Sequence, residues 1–402
     1  MQESLMSDTR ERRPDPTGRA YGRPRQSHNA TLTEVGPGTP CGEFMRRYWQ
    51  PVGLSSKTNA TPQAVRILGE DLVLFRDRTG RPGLLYSRCM HRGTTLYYGK
   101  VEDRGIRCCY HGWLFDVEGN CLEQPCEPNG GSHRELARQP WYPVEERYGV
   151  VFAYMGPPEK QPVLPRYDIL EDLAPGEYLD VDDQSWAASV GSTMPIVPHS
   201  WLHHYDNIMD PFHVQVLHST FSGTQFVPEF AVMPKCDFSY TDTGMAYVAH
   251  RELDDGRLVD RVSQSLLPNI RIVPNTQLVE GRAGEVAWLV PVDDTHHRII
   301  HIAKVTGPGR FAARAMFNGK RWPEMTEEEH QRHPGDYEAQ MGMGEISLHS
   351  EEHLATSDRG VAMLRRQLEQ QIRAVAEGGD PLGVTFDPEK SVVKVESGNY
   401  FR

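Results

Sequence analysis

The 402-residue sequence predicts an α+β protein built in two parts, a small all-β part followed by a larger antiparallel sheet covered by helices. Three features predict it: short strand-like runs broken by turn chemistry up to about residue 154, a proline-rich break at 157–165, and long alternating runs followed by one amphipathic helical pattern. At this length two domains with separate cores are expected, because single cores stop growing at about 250 to 300 residues. The boundaries read as an extension over 1–30, a first domain over 31–160 and a second over 161–402.

The N-terminal stretch MQESLMSDTRERRPDPTGRAYGRPRQ has neither an apolar core nor a small-residue cleavage site, so it reads as a flexible Arg- and Pro-rich extension and not as a secretory signal. AVRIL, LVLFR and GLLYS follow, separated by GED and DRTG, which are turn sequences between strands. GIRCCY, WLFDV and YGVVFAYM continue the all-β pattern, with VEGN as a hairpin turn. PPEKQPVLP ends it. Beyond the break, runs at 244–253 and 257–267 joined by DDG, and at 285–305 across VDDTH, read as hairpins of one sheet. Val361, Leu364, Leu368, Ile372 and Val375 recur at helical spacing, which marks an amphipathic helix that stops at Gly378-Gly379 and covers the sheet.

A net charge of -12 gives no reason to expect nucleic acid or an acidic membrane surface as partner. No stretch approaches the roughly 18 consecutive apolar residues of a membrane span. Seven cysteines (Cys41, Cys89, Cys108, Cys109, Cys121, Cys126 and Cys236) are too few and too clustered for a secreted disulfide framework. Metal binding in a reducing cytoplasm is the expectation, with a small molecule or a protein as partner.

CMHRGTTLYYGKVEDRGIRCCYHGW, residues 89 to 113, carries Cys89 and His91 as CxH, then sixteen residues, then Cys108 and His111 as CxxH. A structural zinc site usually takes its ligands as CxxC or HxxxH pairs. One Cys and one His per loop suits a Rieske [2Fe-2S] centre, in which two thiolates hold one iron and two imidazoles the other. The two-residue gap to His111 favours Cys108 over its neighbour as ligand and leaves Cys109 to packing. Such a centre relays electrons, so it needs an acceptor.

DNIMDPFHVQVLH, residues 206 to 218, offers one through Asp210, His213 and His218. Two histidines and a carboxylate on one face are a common holder of non-haem iron that activates dioxygen. On an ideal helix His213 and His218 point about 140° apart, which predicts a one-residue bulge or an early helix end between them. Asn207, Asp210 and His213 step by three and can share a face. His203 and His204 are rival ligands by composition, with nothing in their spacing to select them, and composition cannot choose a carboxylate among 55 acids.

CMHRG and CCYHGW resemble the Rieske motifs of ring-hydroxylating oxygenases, CPHRG and CPYHGW, with Met90 and Cys109 in place of the two usual prolines. The resemblance runs from MRRYWQPVGL at 45–54 to the C-terminal helix. The NxxDxxHxxxxH pattern of that family falls on Asn207, Asp210, His213 and His218. This implies that His213 and His218 bind a mononuclear Fe(II), and that Asp210 joins a Rieske histidine of a neighbouring subunit to His213. EEHLATSDRGVAMLRRQL is similar to the C-terminal segment of phthalate dioxygenase-like enzymes, in which the ligand Asp lies sixteen residues before EHL; here that is Asp336, with Glu338 and Glu345 as alternatives.

The resemblance further implies an N-terminal Rieske domain, a C-terminal catalytic domain, a homotrimer, and electrons from NAD(P)H through a separate reductase or ferredoxin. Within the family the chain looks most like oxygenase components of aromatic O-demethylases acting on lignin-derived methoxyaryl acids. These monooxygenases use O2 to hydroxylate the methoxy carbon and release formaldehyde and a phenol. Ring dihydroxylation and N-dealkylation use the same metals. A Rieske electron carrier and a zinc-stabilised binding module are the non-oxygenase alternatives. A carboxylated substrate calls for cationic groups, and Arg251, Arg261 and Arg271 stand in the predicted sheet, where strand arginines are expected at the surface.

Overall fold

The computed structural model describes residues 17–18, 20, 23–131, 134–183, 195–307, 318–320 and 322–402; most of the N-terminal extension lies outside the described residues. The predicted runs of the first part form Gln63–Ile67, Glu70–Arg76 and Pro82–Tyr86, joined by Trp141–Tyr142 into one antiparallel sheet. Trp49–Leu54, Val150–Tyr154 and Val144–Arg147 form a second sheet. A small third sheet of Lys100–Glu102, Gly105–Arg107, Leu114–Phe115 and Cys121–Glu123 supports the two cysteine-bearing loops.

After the proline break, a large antiparallel sheet runs in the order Tyr178–Asp182, His296–Val305, Glu285–Asp293, Ile270–Ile272, Leu258–Leu266, Gly244–Glu252, Lys235–Thr241. Both predicted hairpins are present, paired from Gly244↔Leu266 to Glu252↔Leu258 and from Glu285↔Ala303 to Asp293↔His296. Because side chains alternate across a strand, cross-strand partners share a face. One face carries His301, Ala287, Arg271, Ser265 and Met245 in a row; the other carries Ile300, Trp288 and Ile270.

The apolar core does not divide at the proline break. Val150–Tyr154 is buried at every position, and Phe152 meets Trp288 of the large sheet with ring centroids 5.5 Å apart. Tyr167, just past the break, meets the same indole at 5.5 Å. A separate small core of Val73, Phe75, Leu85, Leu96, Ile106 and Phe115 lies under the cysteine loops.

The C-terminal helix forms over Arg359–Ala376 and buries Val361, Leu364, Leu368 and Ile372, the stripe expected from the sequence. It ends where Gly379 N–H donates to Ala374 O and Gly378 takes φ +83°, a left-handed value open to glycine. Its start needs Gly360, since a Cβ there would lie 2.1 Å from Met209 O. Arg365 pairs with Glu352 and donates from Nη2 to Asp206 at 2.6 Å, which fastens this helix to the helix Trp201–Ile208. No helix among the described residues is long and apolar enough to cross a membrane.

Candidate metal centres

The two loops around the cysteines have the same backbone. Cys89 N–H donates to Thr94 O and Gly93 N–H to Cys89 O, both at 2.8 Å; Cys108 N–H donates to Trp113 O at 2.8 Å and Gly112 N–H to Cys108 O at 3.1 Å. Closing each loop this way requires positive φ at Gly93 and Gly112, +78° and +74°. The repetition turns Cys89 and Cys108 inward, both buried, and leaves His91 and His111 partly exposed with rings 4.5 Å apart. His91 lies flat on Trp113 at 4.5 Å.

Burial pushes the Cys89 thiol up to about 11, with the neighbouring Cys108 adding to the shift. Two thiols crowded together in an apolar pocket are poor as free thiolates and well suited to a shared cation, so the donor set fits a cluster held by two thiolates and two imidazoles. Cys109, expected to pack, is exposed instead, while its neighbour Cys108 is buried. Met90 uses the N–H that a proline would lack, donating to Gln139 Oε1 at 2.7 Å, while Gln139 Nε2 donates to Tyr86 O and Arg88 O at 2.8 Å. Replacing this buried glutamine, Gln139→Ala, leaves all three groups without that partner and is expected to cost about 1 to 3 kcal/mol, read as a lower melting temperature of the cluster-loaded protein.

At the second constellation, the helix Trp201–Ile208 stops before Pro211, which cannot continue it. Asp210 Oδ1 then accepts from Phe212 N at 3.0 Å and His213 N at 3.3 Å and opens a new turn. Asn207, Asp210 and His213 therefore do not share one helix face, contrary to the stepping read from the sequence. The expected distortion between the two histidines is a π-helical turn, Val216–Phe221. His213 opens the short helix His213–Gln215 just before it, and the wider π turn reduces the angle between the two histidines, whose ring centroids are 5.3 Å apart.

Asp336, first residue of the helix Asp336–Met341, completes the group. One donor atom from each of His213, His218 and Asp336 lies within 4.8 Å of the others. Asp336 Oδ1 stands 3.2 Å from His218 Nε2 and 3.5 Å from His213 Nε2. Burial works against the Asp336 charge, but His218 and His213 outweigh it and hold the carboxyl far below the usual range. Burial lowers the His213 imidazole, and Asp210 with Asp336 more than reverses this. Two imidazole Nε2 atoms and a carboxylate oxygen converging on one point are the donor chemistry of a mononuclear Fe(II) site.

Asn207 Nδ2 donates to Asp336 Oδ1 at 3.1 Å and stands 3.4 Å from His213 Nε2, so it fixes the carboxylate. Asp210 meets the far side of the His213 ring: its main-chain O lies 2.5 Å and its Oδ2 3.7 Å from Nδ1. The alternative acids fall elsewhere, with Glu338 engaged by Trp322 Nε1 at 2.6 Å and His330 Nδ1 at 2.8 Å, and Glu345 exposed. Gln225, which no sequence motif marks, holds His218 Nδ1 at 2.6 Å.

His203 and His204 join His199 and His297 in a buried group of imidazoles. The rings of His199 and His203 are 5.1 Å apart, those of His199 and His297 4.9 Å, and those of His204 and His297 5.7 Å. Burial drives all four down, His199 to about 4 and His203 to about 3. Each is neutral when folded and binds a proton more readily when unfolded, so stability falls as pH drops below the unfolded value of about 6.5. For His199 and His203 the loss at pH 5 relative to pH 7 is expected to be on the order of 1 to 2 kcal/mol each, measurable by chemical denaturation.

Arg251 and Arg261 are buried, contrary to the surface positions expected for strand arginines, because both guanidinium groups lie over the Phe230 ring at 5.2 Å. Arg261 also donates to Pro274 O, Asn275 O and Asn399 Oδ1 at 2.8–2.9 Å. Arg271, partly buried, sits 3.1 Å from His301 Nε2 and 3.5 Å from Glu285. Burial and then Arg271 are the main influences lowering His204, with Asp336 opposing them, so Arg271 and the second donor group act on the same ring.

Residues 48–143 match the family described as Rieske [2Fe-2S] domain. The chain is 57% identical over 385 residues to the phenoxybenzoate dioxygenase subunit alpha of Ectopseudomonas oleovorans, covering 96% of this chain and 94% of that protein. It is 33% identical to the 5,5'-dehydrodivanillate O-demethylase oxygenase subunit of Sphingobium sp. (strain NBRC 103272 / SYK-6), over 90% of this chain and 83% of that one. Among solved structures, Pseudomonas putida CBB5 NdmA with caffeine superposes with a TM-score of 0.62 at 18% identity, over 87% of this chain and 99% of that one, a likeness of fold.

Proposed function

The chain belongs to the Rieske non-haem iron oxygenases as the oxygenase component of an aromatic-oxidising system, and we propose that it opens the ether bond of a carboxylated aryl ether. The observation that carries the reading is the meeting of His213, His218 and Asp336 within 4.8 Å in a chain that also pairs Cys89 and His91 with Cys108 and His111. In this reading Cys89 and Cys108 hold one iron of a [2Fe-2S] cluster, His91 and His111 the other, and His213, His218 and Asp336 hold Fe(II). When bound, the cluster supplies single electrons and the Fe(II) supplies dioxygen activation.

The protein's part is to place and hold. Asn207 holds the Asp336 carboxylate through Oδ1, and Asp210 fixes the His213 ring through Nδ1. Of the three strand arginines, Arg271 is the one that faces a carboxylate, Glu285, beside the His301 imidazole, so its guanidinium is placed to re-pair with a substrate carboxylate. The family's subunits draw electrons from separate reductase or ferredoxin partners, and we extend to this chain a homotrimeric assembly in the cytoplasm.

Ether cleavage is favoured because the relative sharing 57% identity is a phenoxybenzoate dioxygenase and a second relative is an O-demethylase. Dioxygenation with one hydroxyl on the ether-bearing ring carbon would release a phenol and leave a catechol. A second reading, O-demethylation of a methoxylated aromatic acid, would release formaldehyde and a phenol. Oxygen uptake with a surrogate reductase, read alongside product analysis on carboxylated diaryl ethers and methoxybenzoates, tests both. Phenol plus catechol supports the first and formaldehyde the second; an intact cis-diol that keeps its ether overturns ether cleavage.

A further inference from the structure

The π-helical turn leaves His218 with its Nε2 toward Asp336 and its Nδ1 toward Gln225. The Gln225 amide is fixed at its other end, since Nε2 donates to Pro334 O at 3.0 Å, and a carbonyl oxygen can face only the NH2 of an amide. Oε1 must then face His218 Nδ1, and at 2.6 Å an acceptor there requires that Nδ1 carry the proton. The neutral imidazole therefore keeps its lone pair on Nε2, the atom that meets Asp336. The Gln225 main chain adds a bond from its N–H to His218 O at 2.9 Å, and Phe226 packs on the imidazole with centroids 4.6 Å apart.

Pro334 lies two residues before Asp336, and its carbonyl also accepts from Ser222 Oγ at 2.7 Å. One side chain thus touches both ligand-bearing segments. From this geometry we infer that Gln225 is a positioning residue for the mononuclear metal: it sets the tautomer of His218 and keeps Nε2 aimed at the ion. The inference rests on the reading of His213, His218 and Asp336 as the iron ligands. Partners that hold the second nitrogen of a metal-bound histidine are worth about 10 to 100-fold in metal affinity.

The experiment is anaerobic equilibrium dialysis against Fe(II) of the full chain with its cluster loaded and the mononuclear site stripped, comparing wild type with Gln225→Met and Gln225→Glu. Methionine fills similar space with only a weak thioether acceptor in place of the amide oxygen, and glutamate keeps a strong acceptor at Nδ1 while losing the donor to Pro334. Expected are a fall of about 10 to 100-fold in Fe(II) affinity for Gln225→Met, affinity near wild type for Gln225→Glu, and an unchanged cluster spectrum in both. Gln225→Leu replaces Gln225→Met if the latter fails to fold, as judged by melting temperature before iron is added. Wild-type affinity in the methionine variant overturns the inference. So does an equal fall in both variants, which would place the effect in the Pro334 contact. A wild-type protein that takes up no Fe(II) overturns instead the ligand reading on which the inference rests.

Discussion

Replacing His213 or His218 with alanine is expected to abolish substrate-dependent oxygen uptake while leaving the cluster's colour and its resonance after reduction intact. The two donor sets share no residue, so removing one imidazole opens only the site around Asp336. Iron content should fall from about three to about two per chain, the number held by a [2Fe-2S] centre alone. The loss leaves Asp336 Oδ1 with one of these two imidazoles beside Asn207 Nδ2, so a modest change in melting temperature should accompany it. Retained turnover in either variant would remove that histidine from the ligand set. A wild-type chain with two irons and no oxygen chemistry would instead describe an electron carrier, and a colourless zinc protein would describe a binding module.

Much of this was legible because the chemistry is local. Cys89, His91, Cys108 and His111 stand in two short loops with one Cys and one His in each, the structure brings the His91 and His111 rings together, and the strands around them alternate or carry turn residues at the expected places. The helix stripe from Val361 to Ile372 was equally plain. The path between Asn207 and His218 was only half legible. The mismatch between five residues and helical periodicity demands a distortion, but a step of three from Asn207 to Asp210 to His213 gives one face only on an unbroken helix, and the chain breaks at Pro211.

Residues joined only by tertiary structure left no local trace. Asp336 is 118 positions from His218, and resemblance, not spacing, pointed to it. Gln225 carries no motif because its meaning lies in Pro334, 109 positions away. Arg251 and Arg261 are buried for a related reason: Phe230 lies beneath both guanidinium groups, which strand alternation does not reveal. The single core across Phe152, Tyr167 and Trp288 likewise joins segments that a proline-rich sequence separates along the chain but not in space.

The second large effect concerns the route between the two sites. His91 and His111 emerge from their loops beside exposed Met90 and Tyr110, and Asp210 is about one-third open, with exposed Val216 and Phe221 on the turn that follows. In the head-to-tail ring proposed above, exposed apolar side chains beside the proposed cluster loops would meet those beside the proposed iron site of the next chain. If electrons cross that junction, a Cys108→Ser chain and a His213→Ala chain, each inactive alone, should restore activity when assembled together. In a randomly mixed ring a cluster-bearing chain faces an iron-competent one at roughly a quarter of junctions, so recovery of about a quarter of wild-type turnover is expected. Adding Asp210→Asn to the Cys108→Ser chain, which carries the working iron site, should cut that recovery sharply while its iron content stays near wild type. Adding it to the His213→Ala chain should change nothing, because that chain contributes only its cluster. Mixed assemblies that form but stay inactive would mean that each chain's cluster serves its own iron, and the ring would lose its catalytic reason.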